Sequence, residues 1–393
     1  MKHRKLGIAI IGLGGAVGTT MVAGIELLKK GLIGTEGLPL AVLSKDLTGD
    51  LADYENIVFG GWDLFGEHLA KAAEEHDVLT HKHFVAVEAE LRKIKPWRAV
   101  GNTNFLANIE GVNQFSETDS HRETIEKIRN DLQVFKKTCD EVVVINLAST
   151  EKLAETGNEI FNSIAGFEKA IDDKSSQISP AMLYAYAAIS ERIPYGNFTP
   201  SDSADIPALV EFAEKQKVPI AGKDGKTGQT FIKTVLAPAF KTRALKVEGW
   251  YSTNILGNRD GLALSNEDSL ASKIKTKGSV LDDILGYRVE NHIVDIRYYR
   301  PRRDNKEAWD NIDIVGFLGQ PMQIKVNFLC KDSILAAPLA VEIARLLDLA
   351  KRRESFGIQE QLSVFFKLPM TRNDKPEHAF HKQEEMLLDW LKQ

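Results

Sequence analysis

The residues best suited to chemistry concentrate between Gly222 and Gly278. In Gly222 to Thr230 (G-K-D-G-K-T-G-Q-T) three glycines stand among polar residues just after the apolar Val218, Pro219 and Ile220. That is the pattern of a turn from strand to helix, with backbone N–H groups aimed at a ligand. Asn254 to Gly261 (N-I-L-G-N-R-D-G) is a second polar turn, which can bring Asn254, Asn258 and Asp260 to one place. Further on, Lys273 and Lys277 are four apart, hence on one face of a helix. Two ammonium groups there repel unless an anion lies between them. The pair is either an anion site or a solvated basic helix end.

A further glycine cluster opens the chain. Leu6 to Ile11 is an isoleucine-rich run suited to a strand buried on both faces, and Gly12-Leu13-Gly14-Gly15-Ala16-Val17-Gly18 follows at once. Thr19, Thr20 and a helical pattern through Leu28 come next. Strand, glycine turn and helix start are the context in which a dinucleotide binds, its pyrophosphate against the turn and the positive end of the helix dipole. Gly12, Gly14, Gly15, Ala16, Val17, Gly18 and Thr19 are therefore candidate contacts to a dinucleotide. A second strand is predicted to end at Leu43, leaving Asp46, or Asp63 in Phe59-Gly60-Gly61-Trp62-Asp63, as the acid for the adenosine ribose.

These residues need elements to position them. Helices are predicted over Glu67 to His76, Ser120 to Thr138, Pro180 to Arg192 and Asp205 to Gln216, the last capped by Ser201. Strands are predicted over Glu141 to Leu147 and Val218 to Ala221, with His81 and His83 in a loop. In an open parallel sheet ligands lie beyond the carboxyl ends of the strands, so Asn146, Ala148, Ser149 and Thr150 face the cofactor. After Gly222 the helix Thr227 to Lys241 leads to strand-like runs over Leu245 to Tyr251, Val289 to Tyr299, Ile312 to Leu318 and Met322 to Leu329. Few helices separate them, which predicts a mixed or antiparallel sheet with one open face. Asp332 to Arg352 is a long apolar helix, kinked near Pro338, with Asp332 and Ser333 at its N-terminus; Lys382 to Lys392 is a closing amphipathic helix.

Composition bounds the function. A chain of 393 residues with 43% hydrophobic and 27% charged residues has the make-up of an ordinary globular protein and room for two domains. A net charge of -5 argues against a general nucleic-acid binder, so any cationic site is local. Cys139 and Cys330 support neither a disulfide framework nor a cysteine metal cage, which fits a cytoplasmic setting. No apolar run is long enough to span a membrane, and the basic start, Met1 to Lys5, lacks the ending of a signal peptide. An H-x-H pair with no third ligand at suitable spacing points to surface histidines.

Taken together, Gly12 to Gly18, Phe59 to Asp63, Gly222 to Thr230, Asn254 to Gly261, Ser272-Lys273 with Lys277, and Asp332-Ser333-Ile334-Leu335-Ala336-Ala337-Pro338-Leu339 resemble the inositol-3-phosphate synthase family, in its shorter prokaryotic form. The blocks keep the family's order from residue 6 to about 370. The resemblance implies an α/β fold: a Rossmann-type doubly wound parallel sheet with an inserted α+β domain for catalysis and oligomerisation. Its parts would be a Rossmann domain over 1–222, the inserted domain over 223–310, and a return segment over 311–393 completing sheet and active site. It also implies a homotetramer that binds neither nucleic acid nor membrane.

The implied reaction converts D-glucose 6-phosphate to 1D-myo-inositol 3-phosphate for inositol and phospholipid biosynthesis, with a tightly held NAD reduced and then reoxidised. Carbon 5 is oxidised, the enolate at carbon 6 attacks the aldehyde at carbon 1, and the ring ketone is reduced. Residue by residue, Lys273 and Lys277 match the family's S-K-x-x-x-K pair. Lys306 in Asp304-Asn305-Lys306 matches the lysine after the following strand, and Lys367 matches that of Phe366-Lys367-Leu368-Pro369. Asp224, Asn254 and Asp332 join the catalytic set, while Asp63, Asp260 and Ser333 join the cofactor contacts. A divalent or monovalent cation is open as a second cofactor. The family often has an acidic pair where Lys223-Asp224 stands, and Lys223 or Arg259 is expected to supply charge in a metal's place. The rivals are an NAD-dependent dehydrogenase of the homoserine dehydrogenase type acting on a small anionic substrate, a lysine that forms a Schiff base, and an NAD-sensing scaffold.

Overall fold

The computed structural model describes residues 4–102, 104–106, 111–116, 118–155, 157–257 and 280–393. Its first strand, β1 (Leu6–Ile11), is wholly buried and lies at the centre of a sheet. The chain continues through α1 (Ala16–Lys29), the short α2 (Lys45–Thr48), β2 (Ile57–Asp63), α3 (Leu69–His76), α4 (His81–Arg92), β3 (Trp97–Arg98), α5 (His121–Lys136) and β4 (Glu141–Asn146). Then come α6 (Ile164–Asp172), α7 (Pro180–Ser190), β5 (Tyr195–Asn197), α8 (Pro207–Gln216), β6 (Pro219–Gly222) and α9 (Gln229–Thr242). With β11 (Gly357–Ile358) these strands form a seven-stranded sheet in the order β11-β6-β5-β4-β1-β2-β3, every pairing parallel.

Alternation along the central strands feeds two cores. Ile8, Ile10, Val143 and Ile145 pack on one face with Met21, Val22 and Ile25 of α1, while Ala9, Ile11, Val142 and Val144 pack on the other with Ile125, Ile128 and Met182. Each of these valine, isoleucine and methionine side chains contributes about 1.5–3 kcal/mol on burial. This is the doubly wound sheet expected. Its register aligns Ile11 with Trp62 and Asn146, Asn146 with Asn197, and Asn197 with Gly222. The strands therefore end level, and the turns that follow them open on one side of the sheet.

Three local expectations fail. The second strand does not end at Leu43: Pro39–Val42 is a 3-10 turn, and β2 is built from the glycine-rich Ile57–Asp63. Gly60 and Gly61 weaken the strand pattern, yet closeness requires them, since a Cβ would lie 2.7 Å from the Trp97 ring and 2.0 Å from the Ile10 carbonyl oxygen respectively. His81 and His83 open α4, whose cap is the Thr80 hydroxyl accepting from His83 N–H. Ser201 caps nothing; α8 starts after Ile206, and the Ser201 hydroxyl accepts from Glu151 N–H at 3.0 Å.

The remaining strands, β7 (Lys246–Leu256), β8 (Asn291–Tyr298), β9 (Asn305–Val315) and β10 (Pro321–Lys331), form a mixed sheet in the order β10-β9-β7-β8. Helix α9 and residues 280–285 cover its inner face around Trp250. β9 starts earlier than Ile312 because its inward positions include the charged Lys306 and Asp310, which hide the period of two. Lys306 thus follows β8, as expected, and lies at the start of β9, which a boundary at 310/311 would cut. The chain returns to the large sheet with α10 (Asp332–Arg352), which continues unbroken through Pro338 and packs against α1, before α11 (Phe380–Leu391) closes the chain.

Candidate functional site

A cavity occupies the crevice beyond the carboxyl ends of β1 and β4, where the strand order reverses from β1-β2 to β1-β4. That is the ligand position in doubly wound sheets. Gly12, Gly15, Ala16 and Val17 line it. Gly12 has a φ of +85° and lies so close to Ala148 that a Cβ would meet its backbone N at 3.0 Å. Gly14 donates its N–H to Asp63 Oδ2 at 2.8 Å. Gly18 packs behind the turn, where a Cβ would fall 2.5 Å from the Leu13 carbonyl oxygen, and the Thr19 hydroxyl donates back to Gly15 O at 2.9 Å. Gly15 caps α1 without any side-chain cap or acid in the first turn. The first N–H groups of the helix thus face the cavity, a cradle that fits a dinucleotide diphosphate.

Asp63, not Asp46, ends a strand at the cavity, and its other oxygen accepts from Phe65 N–H at 3.0 Å. Opposite it, Ala148, Ser149 and Thr150 line the wall as expected from the carboxyl-end rule. Asn146 is buried and holds that loop by accepting from Ala148 N–H at 3.1 Å. The turn 198–200 completes this side.

The far wall carries the charged groups. Lys367 Nζ donates to Asp224 Oδ1 at 2.7 Å, both residues buried, because the strand-like contact of Gly225 with Phe366 brings the two distant segments side by side. Lys306 Nζ stands 3.2 Å from Asp332 Oδ1, which also accepts from the Thr227 hydroxyl. Ser333, at the start of α10, is held by Asp304 through its hydroxyl (2.7 Å) and its N–H (3.2 Å). Asn254 is buried within β7 rather than in a turn; it donates to Gln229 Oε1, and its own Oδ1 has no hydrogen-bond partner among the described residues. Lys273, Lys277, Asp260, Asn258 and Arg259 lie outside the described residues.

The expectation that Lys223 replaces a metal's charge is corrected. Its ammonium is engaged by Asp202 and Asp205 at 2.6 and 2.7 Å, and it does not line the cavity. The carboxylates of Asp224 and Asp332 each hold a lysine ammonium. Among the described residues no group of three or more His, Cys, Asp or Glu could hold a metal.

Several groups at or near the site escaped sequence reasoning. Glu151 ends the cofactor loop; its Oε1 accepts from Ala181 N–H at 3.0 Å, and burial pushes its carboxyl up to about 8. His76 lines the cavity beside the glycine turn. Lys226 turns away from Asp224 to Gln383 and the Phe380 ring, and burial lowers its amine to about 7. Lys233 reaches His292 Nε2 at 2.6 Å and is lowered to about 8, again by burial. A turn has no period, so nothing in the lysine spacing separates Lys226 from a cavity residue.

Fold and cavity together define a dinucleotide-binding α/β protein that sets lysine–aspartate pairs beside the cofactor crevice. A family model described as myo-inositol-1-phosphate synthase, with an NAD-binding label, matches residues 6–392, and the chain belongs to that family. It is 44% identical over 410 residues to inositol-3-phosphate synthase 1 of Bacteroides thetaiotaomicron, covering 99% of this chain and 95% of that protein. The inositol-3-phosphate synthase of Saccharomyces cerevisiae is 29% identical over 458 residues, 100% of this chain and 85% of that one. Among solved structures, the inositol-3-phosphate synthase of Caenorhabditis elegans superposes with a TM-score of 0.92 at 26% identity, over 100% of this chain and 86% of that chain.

Proposed function

We propose that this protein converts D-glucose 6-phosphate to 1D-myo-inositol 3-phosphate, an isomerisation with no net redox change. The observation that carries the reading is the pair of ion pairs, Lys367–Asp224 and Lys306–Asp332, on the wall facing the glycine turn. Gly12 to Val17 would hold the diphosphate of NAD and Asp63 its adenosine ribose, and NAD would supply the hydride acceptor and donor. Ala148, Ser149, Thr150 and Ser333 would hold it in place, and Asp260 is a further candidate.

Lys367 takes the proton of the carbon 5 hydroxyl while its own ammonium proton passes to the hydrogen-bonded Asp224, and the reverse relay returns it when the ring ketone is reduced. Lys306, steadied by Asp332, places a positive charge where phosphate and enolate need one, which is worth most where water is excluded. Lys273 is assigned to the oxygen at carbon 1, Lys277 to the phosphate, and Asn254 to substrate positioning. No step is routed through a cation, which would compete with the ammonium groups on Asp224 and Asp332. We further propose a cytoplasmic homotetramer serving inositol and phospholipid biosynthesis, with the insert running from 223 to the end of β10. Among the described residues no helix is long and apolar enough to cross a membrane.

The test is incubation with glucose 6-phosphate and a catalytic amount of NAD, followed by phosphate-ester analysis. The expected product is inositol phosphate with no accumulating NADH. A dehydrogenase of the homoserine type gives NADH in proportion to substrate consumed, and that result ends the reading. Lys367→Ala is expected to lower kcat by about 10²–10⁴-fold with the fold retained by circular dichroism.

A further inference from the structure

The last turn of α3 touches both halves of the site. His76, its final residue, lines the cavity, and its Nε2 lies 2.8 Å from the carbonyl oxygen of Gly14. A carbonyl only accepts, so the ring nitrogen donates. Gly14 also gives its N–H to Asp63, so the middle of the glycine turn is held from outside at both its polar groups. One residue on, Asp77 adopts a φ of 53°, and the chain leaving α3 meets the end of β10. There Lys331 Nζ donates to Val78 O at 2.7 Å and lies 3.4 Å from Asp77 O, and Arg303 pairs with the Asp77 carboxylate. Lys331 directly precedes Asp332, the partner of Lys306, and Arg303 precedes Asp304, which holds Ser333.

We infer that residues 76–78 form a strap tying the glycine turn to the β10–α10 junction, with His76 and Lys331 as positioning residues that keep the dinucleotide seated between its two hydride transfers. The inference rests on the functional reading above, in which one cofactor takes a hydride and returns it without leaving. The reduced cofactor must then stay bound through a ring closure. The turn that cradles its diphosphate and the lysine–aspartate wall that faces its reacting end are separate parts of the chain. A connection between them at the cavity rim sets their separation. The Arg303–Asp77 pair is exposed, 68% and 58% on its two side chains, and solvent screens it. The hydrogen bonds of His76 and Lys331 are part-buried and carry the strap.

The test compares His76→Leu, which removes the donor, with His76→Gln, which restores an N–H donor, and with Lys331→Met, which keeps the aliphatic stem. NAD affinity is measured by calorimetry, and NADH released during turnover of glucose 6-phosphate by its fluorescence. His76→Leu and Lys331→Met are expected to bind NAD about five- to tenfold more weakly, the worth of one part-buried hydrogen bond. Both should shed NADH that the unaltered protein retains, with KM for glucose 6-phosphate within about twofold, and His76→Gln should behave as the unaltered protein. Unchanged NAD affinity and no leakage in His76→Leu overturn the strap, as does a His76→Gln as impaired as His76→Leu. If the unaltered protein makes no inositol phosphate the functional reading fails, while the NAD-affinity series still decides the strap.

Discussion

At the scale of single residues, the most telling groups are buried ionisable side chains just behind the cavity. Glu151 keeps its carboxyl under α7 and ties the cofactor loop to the turn at Ser201. Burial raises it to about 8 from 4.5, so between those values the folded protein holds a proton that the unfolded chain has released. Stability from this group is therefore fully present below pH 4.5 and lost as pH rises toward 8. Glu151→Gln keeps the shape and cannot ionise. It is expected to match the unaltered protein in urea denaturation near pH 4.5 and to exceed it at pH 8. Equal pH dependence in the two proteins contradicts the burial argument. Lys226 works in the opposite sense, since an amine lowered to about 7 gains stability as pH rises from 7 toward its unfolded value.

At the scale of elements, what the sequence displays is period, and what it hides is closeness. β1, the glycine turn, α1, β4 and α10 are legible because apolar period and the placing of the glycines agree there. β2 is not, since Gly60 and Gly61 weaken its strand pattern although their missing side chains let β2 lie against Trp97 and Ile10. β9 is not, since Lys306 and Asp310 sit inward. The pairing of Lys367 with Asp224 spans 143 residues and was reachable only through family resemblance, never through spacing. Glycine position supplies a test of this account. Gly61→Ala puts a Cβ 2.0 Å from the Ile10 carbonyl oxygen at a φ of +150°, and should cost about 3 kcal/mol or more. Gly24→Ala, in the middle of α1 with nothing within 4 Å of its Cβ, should add about 0.5–1 kcal/mol. Chemical denaturation of the two variants checks both signs.

At the scale of the molecule, the two sheets differ in how they are covered. The seven-stranded sheet is packed on both faces, whereas among the described residues the four-stranded sheet is covered by α9 and residues 280–285 on one face only. Its outward positions carry Ile293 (49% exposed), Trp309 (38%) and Leu329 (62%), with Tyr251 against Trp309 at 5.7 Å between ring centroids. An apolar stripe of this kind suits contact between copies of the chain, as the proposed tetramer requires. Trp309→Glu places a charge at its centre without touching the inner face, where Ala308 and Asp310 are buried. The expected outcome, read by light scattering, is a particle of lower mass that retains the circular dichroism of the parent. Because β9 also presents Lys306 on its inner face, activity should fall together with mass as the protein is diluted. A variant that keeps the parent's mass at every concentration would place the subunit contacts elsewhere on the surface.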